Sequence, residues 1–222
     1  MESYKQDFIE FLVRSNALKF GEFILKSGRK CPYFLNMGSF YKGSQISELG
    51  RFYAEALNGS IKDYDVIFGP AFKGIPLCVA TTAQTFKLFN KDVGFSYNRK
   101  TAKDHGEGGL LVGASVTENS RVVIVDDVMT AGTAVREVFD LLSKAGNPKI
   151  VGVLIAVDRM ERGQGEKSAI QEMKDEFGVQ VYSIVTIEEV VAYLFGREID
   201  GKVYIDEEKK ALIEGYRKEY GV

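Results

Sequence analysis

The sequence predicts an α/β protein in which a mostly parallel, twisted sheet is flanked by helices, and three observations carry that prediction. Short β-branched and aromatic runs alternate with helix-length amphipathic stretches from about residue 60 to about residue 190. The run Val122-Val-Ile-Val125 is β-branched at four consecutive positions rather than at every second one, as a strand buried on both faces requires. That run ends in Asp126 and Asp127, followed by a small-residue loop, and open α/β sheets collect their ligands at the carboxyl ends of strands.

Taken in order, residues 4 to 14 place Phe8, Phe11 and Leu12 at helical spacing. A turn over Ser27-Gly-Arg-Lys30 precedes the short aromatic stretch Tyr33-Phe-Leu35, and this region reads as an amino-terminal appendage of about residues 1 to 40. A helix from about 44 to Leu57, stopped by Asn58-Gly59, leads into the strand Asp65-Val-Ile-Phe68, then Gly69-Pro70 and a helix to about Phe89. Further strands are expected at Val93 to Tyr97, Val122 to Val125, Ile150 to Val157 and Val179 to Val185, with helices near 133 to 145 and 166 to 177. Amphipathic helices at Ile187 to Phe195 and Asp206 to Tyr220 close the pattern. All 222 residues read as one domain with an α/β core over about 60 to 190, without repeat, low-complexity tract or linker.

Composition suits a water-soluble enzyme. Lys plus Arg number 29 against 31 for Asp plus Glu, so no global positive field recommends a nucleic-acid partner. The two cysteines, Cys31 and Cys78, lack metal-ligand spacing and read as small buried thiols. The amino terminus lacks the apolar region of a signal peptide and no stretch has the length of a membrane span, so no membrane partner and a cytoplasmic location are expected.

Two segments concentrate chemistry. In Asp126-Asp-Val-Met-Thr-Ala-Gly-Thr-Ala134 the small residues leave backbone amides free at the start of a helix, where amides and helix dipole together attract a phosphate. An ordinary strand, turn and helix capped by one acid or threonine is the plainer reading. In Tyr97-Asn-Arg-Lys-Thr-Ala-Lys-Asp-His-Gly-Glu-Gly-Gly109 the cations Arg99, Lys100 and Lys103 and the only histidine, His105, lie in a glycine-rich loop. Alone that reads equally well as a solvated basic loop; beside a phosphate cradle it reads as a cationic lid.

The first segment resembles the signature of the type I phosphoribosyltransferases. The resemblance implies that Val128, Met129, Thr130, Ala131, Gly132, Thr133 and Ala134 hold a ribose phosphate through amides and hydroxyls, and that Asp126 and Asp127 face the ribose hydroxyls and a magnesium-bound substrate. The second segment is similar to the catalytic loop of the orotate phosphoribosyltransferases. Three more segments agree with that family: Lys26-Ser-Gly-Arg29 with Pro32-Tyr-Phe-Leu-Asn36 resembles its orotate region, Gly69-Pro-Ala-Phe-Lys-Gly-Ile-Pro76 its pyrophosphate loop, and Val157-Asp-Arg-Met-Glu-Arg-Gly163 the segment bringing an arginine to the orotate carboxylate.

What the resemblance implies is specific. The sheet carries a small hood built largely from the amino-terminal region. Phosphoribosyl pyrophosphate meets Lys26, Phe72, Lys73, Arg99, Lys100, Lys103 and His105 besides the cradle, and Lys103 leads the lid. Orotate meets the face of Phe34, the backbone of Leu35, Thr130, and Arg159, whose guanidinium suits a carboxylate bidentately. Leu35 stands where the family often has a second aromatic, and Phe72 where a tyrosine is common. Mg2+ is expected, held through substrate and water without dedicated protein ligands. A homodimer sharing the lid across its interface is implied. Three alternatives stay open: a transferase for another base, a ligand-binding regulator on the same fold, and a receiver domain, which leaves the lid and the small-residue loop unexplained.

Overall fold

A computed structural model describes the chain except residues 26, 27, 104 to 108, 130 to 132 and 164, and except the side chains of residues 102, 103, 133 and 134. Helix α1 (Ser3–Arg14) buries Phe8, Ile9, Leu12 and Val13 on one face. Strands β1 (Leu18–Ile24) and β2 (Lys30–Leu35) pair antiparallel as a separate ribbon. Helix α2 (Gly43–Ser60) follows, burying Leu49, Phe52, Tyr53, Ala56 and Leu57. It passes the stop expected at Asn58-Gly59. Ile61 ends it instead, buried itself and donating its amide to the Leu57 carbonyl at 2.8 Å.

The α/β part then runs β3 (Val66–Gly69), α3 (Gly74–Phe89), β4 (Gly94–Lys103), β5 (Gly109–Gly113), β6 (Arg121–Asp126), α4 (Thr133–Ala145), β7 (Lys149–Asp158), α5 (Ala169–Phe177), β8 (Val181–Thr186) and α6 (Ile187–Leu194). The strands form one six-stranded sheet in the order β5-β4-β3-β6-β7-β8, parallel throughout except for β5 against β4. A small ribbon, β9 (Glu198–Ile199) with β10 (Lys202–Val203), precedes α7 (Glu207–Tyr220). Local chemistry explains several boundaries. Ser168 accepts from the Gln171 amide and Gln171 answers on the Ser168 amide at the start of α5, Thr186 and Glu189 do the same for α6, and Gly178 ends α5 with a left-handed φ of 65°.

The expected two-sided burial of the sheet is present. In β6, Val123 and Val125 point into a core shared with α1, α2 and α6, while Val122 and Ile124 point into a second core under α4 and α5, and all four are fully buried. Residues 1 to 40 have no core of their own: Phe8, Leu12, Leu18, Cys31 and Tyr33 belong to the same apolar cluster as Ile67, Val123 and Leu154.

One expectation is corrected. The segment read as a loop from Tyr97 to Gly109 is strand for most of its described length, because Asn98 pairs with Leu111 and Lys103 with Gly109 across a β4–β5 hairpin. Strands β1 and β5 were not legible, since glycines interrupt the first and flank the second, and neither is buried enough to show strong apolar alternation. Among the described residues no helix is long and apolar enough to cross a membrane.

Candidate active site

The sheet order fixes where a site belongs. From β3 the chain moves outward to β4 and β5, then returns to place β6 on the other side of β3. Strands β3 and β6 therefore flank the topological switch point, and the crevice at their carboxyl ends is where open sheets receive ligands. The described residues there are Gly69 to Gly74 on one side and Asp126 to Met129, with the start of α4 at Thr133, on the other.

A lysine and an acid span this crevice. Lys73 donates from Nζ to Oδ2 of Asp127 at 2.7 Å, with the lysine side chain 62% exposed and that of the acid 10%. Lys73 reaches that position because the turn after β3 is tight: a Cβ on Gly69 would stand 2.0 Å from the Gly74 carbonyl oxygen, and one on Gly74 would stand 2.6 Å from Pro70. Only glycine permits so close a return of the helix start to the strand end. The turn is held from β4, where Asn98 Oδ1 accepts from the Ala71 amide at 2.9 Å.

The two acids differ. Asp127 is turned into the molecule, accepting from the Val128 amide at 2.8 Å, and its own carbonyl accepts from Ala156 of β7 at 2.9 Å. Asp126 accepts from the Asp127 amide at 2.8 Å, and its carboxyl is pushed up to about 7, chiefly by burial and then by the neighbouring Asp127 charge; the Asp127 amide and the Lys73 cation oppose the rise. The carbonyl of Asp126 accepts from the hydroxyl of Tyr53 at 2.8 Å, and Tyr53 is fully buried on α2. Burial holds that phenol well above its ordinary range. An acid pair of this kind, one member near neutrality and the other already facing a cation, suits a polyol or a bound divalent ion.

Other expected residues fall as follows. Met129 is buried in the core under α4, so only its backbone is available to a ligand. Helix α4 begins at Thr133, as the small-residue loop requires. Phe72 is 67% exposed, and Lys100 Nζ lies 4.9 Å from its ring centroid, so the β4 arm touches the β3 turn. Arg99 donates to the Gly109 carbonyl at 3.4 Å across the hairpin. Lys26, His105, Thr130, Ala131 and Gly132 lie outside the described residues, as do the side chains of Lys103, Thr133 and Ala134.

The orotate-region residues occupy different faces of the amino-terminal ribbon. Phe34 is 38% exposed and stacks on Phe23 at 5.4 Å, with Leu35 partly buried beside it. Arg159 is only 8% exposed and lies over the ring of Tyr33, the preceding residue of β2, whose side chain points to the opposite, buried face. Its Nε and Nη2 both donate to Glu161 Oε1, at 3.0 and 2.7 Å, and Nη2 also reaches Cys31 Sγ at 3.3 Å. This is no surface ion pair. Sequence reasoning missed Tyr53, Asn98, Tyr33 and Glu161, because an aromatic residue on an amphipathic helix or strand is ordinarily a packing residue and Asn98 and Glu161 carry no local signal.

Fold and crevice define an open α/β protein of the class that handles phosphorylated sugars and nucleotides at a switch point. The family model described as phosphoribosyl transferase domain matches residues 37–184. An orotate phosphoribosyltransferase of Lachnoclostridium phytofermentans is 48% identical over 223 residues, covering 100% of this chain and 99% of the relative. One of Pseudomonas paraeruginosa is 50% identical over 224 residues, covering both chains fully. The crystal structure of the orotate phosphoribosyltransferase of Francisella tularensis superposes with a TM-score of 0.84 at 37% identity, covering 97% of this chain and 100% of that one. The chain belongs to the phosphoribosyltransferase family, and within it to the orotate phosphoribosyltransferases.

Proposed function

We propose that this protein transfers the phosphoribosyl group from phosphoribosyl pyrophosphate to orotate, giving orotidine monophosphate and pyrophosphate, a step of de novo pyrimidine (UMP) synthesis. The observation that carries the reading is the acid pair at the carboxyl end of β6 facing Lys73 across the β3–β6 switch point. Orotate nitrogen attacks the anomeric carbon as pyrophosphate leaves, so the protein's contribution is positioning and charge stabilisation.

Asp126 and Asp127 hold the ribose hydroxyls. The amides of residues 128 to 134 hold the ribose phosphate at the start of α4. Lys73 exchanges its bond to Asp127 for pyrophosphate oxygens, and Lys26, Arg99, Lys100, Lys103 and His105 add positive charge around the leaving group, with Lys103 foremost. The acid pair supplies hard oxygen donors, which fit a magnesium ion carried mainly by substrate and water. Magnesium would supply neutralisation of the pyrophosphate charge. Phe34 offers a ring face to the base and the Leu35 backbone its edge, beneath a hood built around the β1–β2 ribbon. Arg159 meets the orotate carboxylate from Nη1, a nitrogen from which no described residue accepts. A cytoplasmic homodimer, each lid serving the partner's site, completes the proposal.

A base panel tests it. Purified protein with magnesium and phosphoribosyl pyrophosphate should consume orotate and leave uracil, hypoxanthine and adenine; consumption of a purine in place of orotate would overturn the reading.

A further inference from the structure

The segment that carries Arg159 is held in an unusual way. Met160 has a φ of 52°, a left-handed conformation that a bulky L residue rarely adopts, and its amide is held by Asp158 Oδ1 at 2.8 Å. Its carbonyl is then taken by a distant part of the chain: the Val222 amide donates to it at 3.0 Å, the Arg162 amide donates to the Tyr220 carbonyl at 2.8 Å, and Glu161 and Gly221 form an antiparallel bridge. The Arg162 guanidinium also bonds the Glu219 carbonyl. From the other side Arg29 donates to the carbonyls of Arg162 and Gly163 at 3.4 and 3.5 Å and lies over the ring of Tyr220.

The same elements meet around the guanidinium. Tyr33 donates its hydroxyl to Glu161 Oε1 at 2.7 Å, the oxygen that receives both bonds from Arg159, and Tyr216 of α7 packs edge-on against Tyr33 with centroids 6.0 Å apart. One carboxylate oxygen therefore serves three donors, and its place depends on β2 and on the tail after α7. Gly221 is required where it stands, since a Cβ there would lie 2.4 Å from the Arg217 carbonyl oxygen.

We infer that residues 216 to 222, acting through the Glu161–Gly221 bridge and the Tyr33–Glu161 bond, are a positioning clamp that orients Arg159 for the carboxylate of the acceptor base. The inference rests on the proposed contact between Arg159 and orotate. In this reading the clamp acts on Arg159 through Glu161 and not by contact with substrate. The contribution of its residues is to keep the remaining guanidinium nitrogen, Nη1, in one place, so their loss weakens the carboxylate-bearing acceptor and spares the sugar donor, whose crevice lies at β3 and β6.

Steady-state kinetics on three variants test this: a chain ended at Tyr220, Tyr33→Phe, and Arg159→Ala as the reference. Circular dichroism and a melting curve establish that each is folded, and Tyr33→Phe, which removes one hydroxyl, serves if the shortened chain is not. The expected result is a rise of about 10-fold or more in the KM for orotate for both clamp variants, with the KM for phosphoribosyl pyrophosphate and the kcat at saturating orotate within about 2-fold of the parent. If Arg159→Ala raises the orotate KM and the folded clamp variants do not, the clamp is refuted while the arginine keeps its role. If Arg159→Ala leaves the orotate KM unchanged, the arginine assignment fails and the clamp with it. Parallel losses in kcat and in both KM values would mark a general structural role and would also overturn the inference.

Discussion

Replacing Asp126 by Asn should stabilise the protein, and by more as the pH rises. Burial and the adjacent Asp127 raise the Asp126 carboxyl from 3.8 to about 7, so the folded state keeps a proton that the unfolded chain surrenders near pH 4. A raised acid contributes its full stability below the unfolded value and loses it as the pH climbs through the folded one. At about 1.4 kcal/mol per pH unit, the window from about pH 5 to about pH 8 removes roughly 2 to 3 kcal/mol of folding free energy through this one group. Asn is neutral throughout and its Oδ1 can still accept from the Asp127 amide, the bond that Asp126 makes at 2.8 Å. Denaturant unfolding of parent and Asp126→Asn at the two pH values measures the difference directly, because titrations elsewhere are common to both. The stability gain should be larger at the higher pH by that amount, while turnover is largely lost. A gain that is flat with pH, or that shrinks as the pH rises, refutes the account of the acid pair.

Three further outcomes follow from the crevice. Lys73→Met removes the cation that opposes the rise at Asp126, so the apparent pKa of that acid should move further up and affinity for phosphoribosyl pyrophosphate should fall, read from the pH dependence of donor binding. Gly132→Val should abolish donor binding by calorimetry with the sheet intact, because a branched side chain crowds the amides offered to the phosphate; parental affinity would move the phosphate elsewhere. Lys103→Ala should depress turnover far more than stability, and mixing it with chains carrying Asp126→Ala and Asp127→Ala should restore activity in heterodimers that combine one intact crevice with one intact lid. Confirmed subunit exchange without recovery would reject a lid acting across the interface.

The sequence by itself determined much of this protein. Four consecutive β-branched residues before Asp126 demanded a strand covered on both faces, and β6 divides them between two cores as that pattern requires. The small residues after Met129 placed the start of α4 at Thr133, and reciprocal Ser168–Gln171 and Thr186–Glu189 pairs started α5 and α6. These are local matters, set by side chains a few positions apart. The position of the crevice followed from the same alternation of strand and helix.

Partner choice was decided only by tertiary structure. Nothing in the spacing of Lys73 and Asp127, 54 residues apart, says that they meet, nor that burial pushes the Asp126 carboxyl up to about 7. The expected Arg159 was legible as a cation after a strand. Its enclosure by Tyr33 and Cys31, the Tyr33 bond to the neighbouring Glu161, and the tie from Gly221 and Val222 to its segment depend on elements more than fifty residues distant. Periodicity reports which face of an element is buried; which side chain waits on the other side of that face is fixed by how the layers pack.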